Sequence, residues 1–474
     1  MFGFRCKLTA STFFFLLESY IHIYIYIYTT CKMNEEVANI LTKNLIPKEF
    51  EKNQFGEVFT PLYFIEQMLD ELPASVWKEK SLKWFDPACG IGNFPIVVYY
   101  RLMESLRGSI AGDAARSKHI IEKMLFMNEL NKKNVANCKK IFEMIDSHAK
   151  PNIECKDFLK IVEGKYDIII GNPPYNEARI KETSDQPLYS KFIMKAIEMT
   201  TSSLLFVVPS RWFSGGKGLD DFRKSMLLRK DIVSIHHIPN SRTIWPEVDI
   251  KGGVNYFYLN KSYNGLTEFT NGHMTRAIQL DKYDILVPDA KAYPLINRAL
   301  KYPCLQKLYL STGHFGITTN FEHFEGKPRA NLVKCYVSAQ KGGVKYVDPK
   351  YIKNAYDFWK VFTPQGSGKG GDGFGNLIIG SPREIASQTY FGFKVGSLAE
   401  AKSLKSYLET DYANYMLSLR KIDQHISEAT LKWIPLPPLD REWTDAKVAK
   451  HFGVALNRTV RVKRTNAHTF KKRS

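Results

Sequence analysis

Cysteine is scarce in this chain and poorly placed for structural use. The 474 residues hold seven, at positions 6, 31, 89, 138, 155, 304 and 335, with no CxxC pair and no Cys/His cluster. That pattern excludes a disulfide framework or a zinc site and suits a reducing cytoplasm. Acidic residues are also short. Asp and Glu number 48 against 67 Lys and Arg, a net charge of +19, which favours a polyanionic partner. Long apolar runs are missing too. The nearest candidate, "STFFFLLESY" followed by "IHIYIYIYTT", is interrupted by Glu18 and His22 and has no clean small-residue cleavage site. It reads neither as a signal peptide nor as a membrane span, so no membrane partner is expected. Such an Ile/Tyr repeat arises when a TATATA-like tract is translated. Residues 1–32 are therefore taken as a low-complexity extension, with Met33 as the expected start.

What is present is ordinary globular material, 44% apolar and 24% charged. From residue 50 to about 260, strand-like runs alternate with amphipathic helices, the pattern of an α/β fold with a parallel sheet. The strands are "LKWFDPA", "KMLFMNE", "NIECKDF", "YDIIIGN", "SLLFVVPS", "IVSIHHIP" and "GGVNYFYLN", with helices at 93–107, 130–146, 188–200 and 219–229. After about residue 262 the alternation dissolves into Gly- and aromatic-rich sequence, with one further helical stretch at 398–418. Four segments are expected: the extension 1–32, a catalytic domain 33–262, a second domain 263–440, and a tail 441–474. The tail carries ten Lys/Arg against Glu442 and Asp445 and is expected to be flexible.

"FDPACGIGNFP" (85–95) joins a strand to a helix through a glycine turn. Gly90 and Gly92 let the backbone approach a ligand, and the helix start offers free N–H groups. Pro87, Ala88 and Phe94 of the same stretch join them as binding candidates. Asp86 stands just before the turn, which suits an amino-acid ammonium group better than a pyrophosphate. Glu129 ends the next strand, where a carboxylate can accept both hydroxyls of a ribose. Asp157 and Phe158 end the third, as acceptor for an adenine N–H and as a face for the ring. Each acid could instead serve as a helix cap, but all of them surround one glycine turn. Upstream, Thr60-Pro61 reads as N-cap and first residue of a helix whose N-terminus could hold a carboxylate.

The "YDIIIGNPPYNEA" stretch (166–178) ends a buried strand in Asn172-Pro173-Pro174-Tyr175, through which nothing regular can continue. The order FTP, DPACGIGNF, NE, DF, NPPY resembles that of gamma-class N6-adenine DNA methyltransferases of restriction–modification systems, in the type IIG branch. "IPNSRTIWPEVDIKGGVNYF" and "SLRKIDQHISEATLKWIPLPPL" are similar to later parts of those enzymes. The resemblance implies a Rossmann-like, S-adenosylmethionine-dependent methyltransferase sheet followed by a mixed α/β target-recognition domain. It implies double-stranded DNA as partner, a monomer, and no metal. A separately encoded restriction nuclease is a further expected partner, because the short N-terminal region cannot accommodate an Asp-(x)n-Glu-x-Lys nuclease module.

The chemistry accounts for the tetrapeptide. An adenine amine is a poor nucleophile because its lone pair is delocalised. The Asn172 side-chain oxygen and the Pro173 carbonyl can accept its two N–H groups and return density to nitrogen. Asn172 also belongs to the cofactor contacts, and Pro174 fixes the direction of the preceding carbonyl. Tyr175 offers a face for a flipped-out base. The resemblance places a second aromatic at Trp245, where the family usually has Phe. Rival readings are a methyltransferase acting on RNA or a protein glutamine, a non-catalytic DNA-binding relative, and a nuclease component. "GSGKGG" (366–371) reads as a loop, His323-x-Glu325 as incidental, and His236-His237 as strand residues.

Overall fold

The computed structural model describes residues 59–176, 187–216, 218–366, 372–421 and 424–455. The N-terminal extension, Met33, the body of the "GSGKGG" loop and residues 456–474 lie outside the described residues. The chain divides into two compact units between Ala290 and Lys291.

The first unit is built on β1 (Trp84–Asp86), β2 (Leu125–Asn128), β3 (Asn152–Glu154), β4 (Tyr166–Gly171), β5 (Thr200–Pro209), β6 (Ile232–Ile238) and β7 (Val254–Asn260). All but β5 fall within a strand read from the sequence; β5 begins at Thr200, three residues before the expected "SLLFVVPS" run. The hairpin β8 (Thr267–Asn271) and β9 (Met274–Ile278) extends the sheet to nine strands in the order β3-β2-β1-β4-β5-β7-β6-β8-β9. β3, β2, β1, β4 and β5 run parallel, and β7 lies antiparallel between β5 and β6. Parallel strands are covered on both faces, which is why Ile168–Ile170 and Leu204–Val208 are buried as continuous apolar runs. Around the sheet lie α1 (Leu62–Leu69), α2 (Asn93–Ser105), α3 (Asp113–His119), α4 (Lys132–Ile145), α5 (Tyr189–Met199) and α6 (Asp220–Leu227).

The chain runs outward through β1, β2 and β3 and returns to β4 on the other side of β1. The order reverses there, and the crevice beyond the carboxyl ends of β1 and β4 is where such sheets bind ligands. Asp86, Glu129, Asp157 and Asn172 all stand at that edge.

The hairpin carries the first unit past the boundary expected at residue 262. It binds the sheet through parallel pairing of β8 with β6, and Phe269 fills the core beneath. The helix starting after Thr60 also differs from expectation. Its cap residue is Pro61, with no side-chain cap bond; the Pro61 carbonyl accepts from Phe64 and Ile65 N–H.

The second unit holds β10 (Tyr309–Leu310), β11 (Val333–Tyr336), β12 (Val344–Val347), β13 (Trp359–Pro364), β14 (Ile378–Gly380), β15 (Glu384–Ala386) and β16 (Tyr390–Val395). They form sheets of order β10-β16-β13-β14 and β12-β11-β15. Helices α7 (Tyr293–Ala299), α8 (Leu398–Leu408), α9 (Asp411–Ser418) and α10 (Asp445–Phe452) complete it. The single helix expected over 398–418 is two, because the Thr410 hydroxyl accepts from Ala413 N–H and starts a new one. Residues 441–455, expected to be flexible, are folded. Thr444 caps α10, and Trp443, Val448 and Phe452 are buried, with Phe452 stacked on Tyr412 at 5.5 Å. Spaced apolar residues behind a good cap outweigh the basic composition. Lys360 is fully buried here, its ammonium donating to the Tyr356 and Glu384 carbonyls, and burial lowers its pKa to about 8. Among the described residues, no helix is long and apolar enough to cross a membrane.

Candidate active site

The turn after β1 is held open by glycine at both points where it must be. Gly90 (φ +57°) and Gly92 (φ +100°) are left-handed, and a Cβ on either would come within 2.9 Å of the Phe59 ring or the Cys138 sulfur. Gly92 N–H donates to the Cys89 carbonyl at 2.8 Å and closes the turn into α2. The Glu129 carboxylate braces the same turn from β2. One oxygen accepts from Gly90 N–H at 2.9 Å, and the other accepts from Asn131 N–H at 2.7 Å. Asn128 ties the neighbouring ends together by donating to the Pro87 and Lys156 carbonyls.

Asp86 is 2% exposed, with Oδ1 accepting from Ala88 N–H at 3.0 Å. Burial holds its pKa well above the ordinary carboxylate range. The Ala88 N–H opposes that shift, and the Glu129 charge adds to it. Asp157 caps the short turn that follows it, accepting from Leu159 N–H at 3.1 Å. Phe158 packs beside Phe192 at 5.0 Å, with the Lys195 ammonium 5.4 Å from its ring centre. The same ammonium donates to the Leu159 carbonyl at 2.7 Å.

From β4, Asn172 turns its amide towards the segment before α1: Nδ2 donates to Thr60 Oγ1 at 3.1 Å. Burial pushes the Tyr175 phenol up, against a smaller lowering influence of the Asn172 amide. Thr60, Asp86, Pro87, Ala88, Gly90, Phe94, Glu129, Asp157, Phe158, Asn172, Pro173, Pro174 and Tyr175 line one cavity of about 550 Å3.

Residues 96–245 match the Eco57I restriction-modification methylase family. An uncharacterized adenine-specific methylase of Mycoplasma pneumoniae is 25% identical over 314 residues, covering 50% of this chain and 74% of that one. The type II methyltransferase M.VspI of a Vibrio species is 28% identical over 154 residues, 32% of each chain. A nuclease-deletion mutant of the type ISP restriction-modification enzyme LlaGI, solved with a DNA substrate mimic, shares the fold. Its TM-score is 0.50 at 13% identity, over 85% of this chain and 47% of that chain. The present chain thus spans about half of that solved chain and a third of M.VspI.

Over residues 96–245 this chain is similar to the methylases of restriction–modification systems.

Two residues predicted for the site, Gly92 and Trp245, stand outside the cavity lining. Gly92 shapes the turn from behind. Trp245 is 5% exposed and packed edge-on to Phe64, and its indole N–H donates to the Phe59 carbonyl at 3.0 Å. It anchors a loop, the alternative to base stacking that its place before Pro246 leaves open. Thr60 reaches the cavity, but its hydroxyl serves Asn172 rather than a helix N-terminus.

Sequence reasoning missed Phe59, Asn93, Asn128, Leu159 and Phe192, which also line the cavity. It missed Gly171 as well. Gly171 has φ +149°, and a Cβ there would lie 2.8 Å from Asp86 Oδ1. The signal was a glycine closing the Ile168–Ile170 run, at a point where a buried strand has no other use for one. The expected His pair is structural. His236 pairs with Glu71 at 2.9 Å and stacks on Tyr256, while His237 meets the Gly252 carbonyl.

Proposed function

We propose that this enzyme transfers a methyl group from S-adenosylmethionine to the N6 amine of an adenine flipped out of double-stranded DNA. The observation that carries this reading is the convergence of Asp86, Glu129, Asp157 and Asn172–Tyr175 on one cavity at the sheet's switch point. A methyltransferase of this family needs a methyl donor, and S-adenosylmethionine supplies an electrophilic methyl on a sulfonium. The residues present fit that molecule. Asp86 is a buried carboxyl whose raised pKa marks a place where a cation would be welcome, as an ammonium group is. Glu129 and Asp157 are acceptors suited to ribose hydroxyls and an adenine amine, and Phe158 lies beside Asp157 as an apolar wall.

At the acceptor end, the Asn172 oxygen and the Pro173 carbonyl accept hydrogen bonds from the two N–H groups of the adenine amine. They draw nitrogen towards tetrahedral geometry and hold the positive charge that develops on methylation. Two prolines fix the direction of that carbonyl in advance, so little ordering remains to be done on binding. Tyr175 gives the extruded base a stacking surface, a contribution of roughly 1–3 kcal/mol in comparable sites. The second unit reads the DNA sequence, and the basic excess towards the C-terminus contacts phosphates without sequence preference. The enzyme works in the cytoplasm as a monomer, with a separately encoded nuclease as its counterpart.

The test is Asn172→Ala in the full chain. Methyl transfer to unmethylated genomic DNA should fall by at least about 100-fold, because the clamp acts on the transition state. Titration calorimetry should find S-adenosylmethionine affinity within about fivefold of wild type, a difference of about 1 kcal/mol. Wild-type turnover in this variant contradicts the proposal.

A further inference from the structure

We propose that Thr60 is a positioning residue that sets which way round the Asn172 amide stands, a proposal that rests on reading Asn172 as an acceptor for the substrate amine. An asparagine side chain presents a donor on one side and an acceptor on the other. Only the oxygen side can accept an N–H from adenine. An amide turned over would set its own N–H groups against the amine and lose the clamp. The chain therefore needs something that engages the NH2 side of Asn172, so that the oxygen side is turned to the substrate.

Thr60 meets that need. Its Oγ1 accepts from Asn172 Nδ2 at 3.1 Å. A threonine before Pro61 at a helix start would ordinarily spend its hydroxyl on a free helix N–H. Here α1 begins without any side-chain cap bond, so the hydroxyl is given to Asn172. The backbone that carries Thr60 is pinned from two further directions. The Thr60 carbonyl accepts from Asn93 Nδ2 at 2.9 Å, and the Phe59 carbonyl accepts from Trp245 Nε1 at 3.0 Å. Thr60 is 3% exposed and Asn93 4% exposed, so water does not compete effectively for these bonds. Segments far apart in sequence thus converge on one dipeptide to hold one hydroxyl in place. Trp245 serves the acceptor end at two removes, through Phe59 and Thr60.

Thr60→Val keeps the side chain's shape and removes the acceptor; Thr60→Ser keeps the acceptor. Two readouts separate the roles: turnover at saturating S-adenosylmethionine, with label transferred to unmethylated genomic DNA, and cofactor affinity by calorimetry. Thr60→Val should lower turnover about 10- to 100-fold while affinity stays within about threefold. Thr60→Ser should recover most of the loss. Trp245→Phe, which keeps a ring but not the N–H, should lower turnover in the same direction by a smaller factor, and it decides the matter if Thr60→Val does not fold. Wild-type turnover in Thr60→Val, a fall in affinity as large as the fall in turnover, or failure of Thr60→Ser to recover activity overturns the proposal. None of these results touches the proposed function. That fails separately, if the wild-type enzyme methylates no DNA or methylates a base other than adenine.

Discussion

Asp86 concentrates the electrostatics of the site. It is buried, accepts a hydrogen bond from Ala88 N–H, and lies near the Glu129 charge, so its pKa stands well above the ordinary range. A cation arriving there stabilises the ionised form. Binding should therefore release a proton, and affinity should rise as pH rises through the unliganded Asp86 pKa and level off above it. Calorimetry in buffers of different ionisation enthalpy measures that proton directly. Asp86→Asn should abolish the release, remove this part of the pH slope, and weaken binding by about tenfold or more. No proton release in the wild type contradicts the placement of the ammonium group. The residue scale is also where the sequence was most legible. Glycines, strand-end acids and NPPY announce themselves because their chemistry is local. Trp245 was not legible in this way, since stacking on a base and donating to the Phe59 carbonyl demand the same ring. Only the fold decides which partner is within reach.

The elements divide according to what specifies them. β1–β7 were readable because buried parallel strands are apolar along their whole length and their helices keep a regular spacing. The hairpin β8–β9 escaped notice although Asn271-Gly272 lies at its turn, a strong hairpin signal between alternating residues. Its strands are short and mostly polar, and only tertiary pairing with β6 makes them part of the sheet. The break between α8 and α9 turns on one cap, and α10 on a few buried side chains within a basic segment. The end of β4 carries a prediction of its own. Gly171 joins the strand to the clamp, and its missing Cβ makes room for Asp86. Gly171→Ala should strain the backbone, displace the carboxyl, and cost roughly 1–3 kcal/mol of stability. Cofactor affinity should fall at least about tenfold in the same variant. Thermal unfolding and calorimetry check both; unchanged values in each would show that the strand end is tolerant.

For the whole molecule, the division between Ala290 and Lys291 separates a unit containing the entire cavity from one without any of its lining residues. A chain ended after Ala290 should still bind S-adenosylmethionine within about threefold of the full enzyme and lose sequence-specific DNA binding. Retained sequence preference in that shortened chain would place base reading in the first unit. Deleting residues 458–474 should weaken binding to every DNA alike and flatten its salt dependence, leaving the methylated sequence unchanged. A different methylated sequence after the deletion would make those residues part of the reading surface. The central claim is that this cavity methylates adenine N6 at defined sites. Its most direct test is to express the full chain in a host without DNA methylation and sequence the genome by a method that distinguishes modified bases. N6-methyladenine is expected at one recurring sequence, and none in the same host carrying Asn172→Ala. Methylated cytosine, or no modified base from a folded, S-adenosylmethionine-binding enzyme, would contradict it.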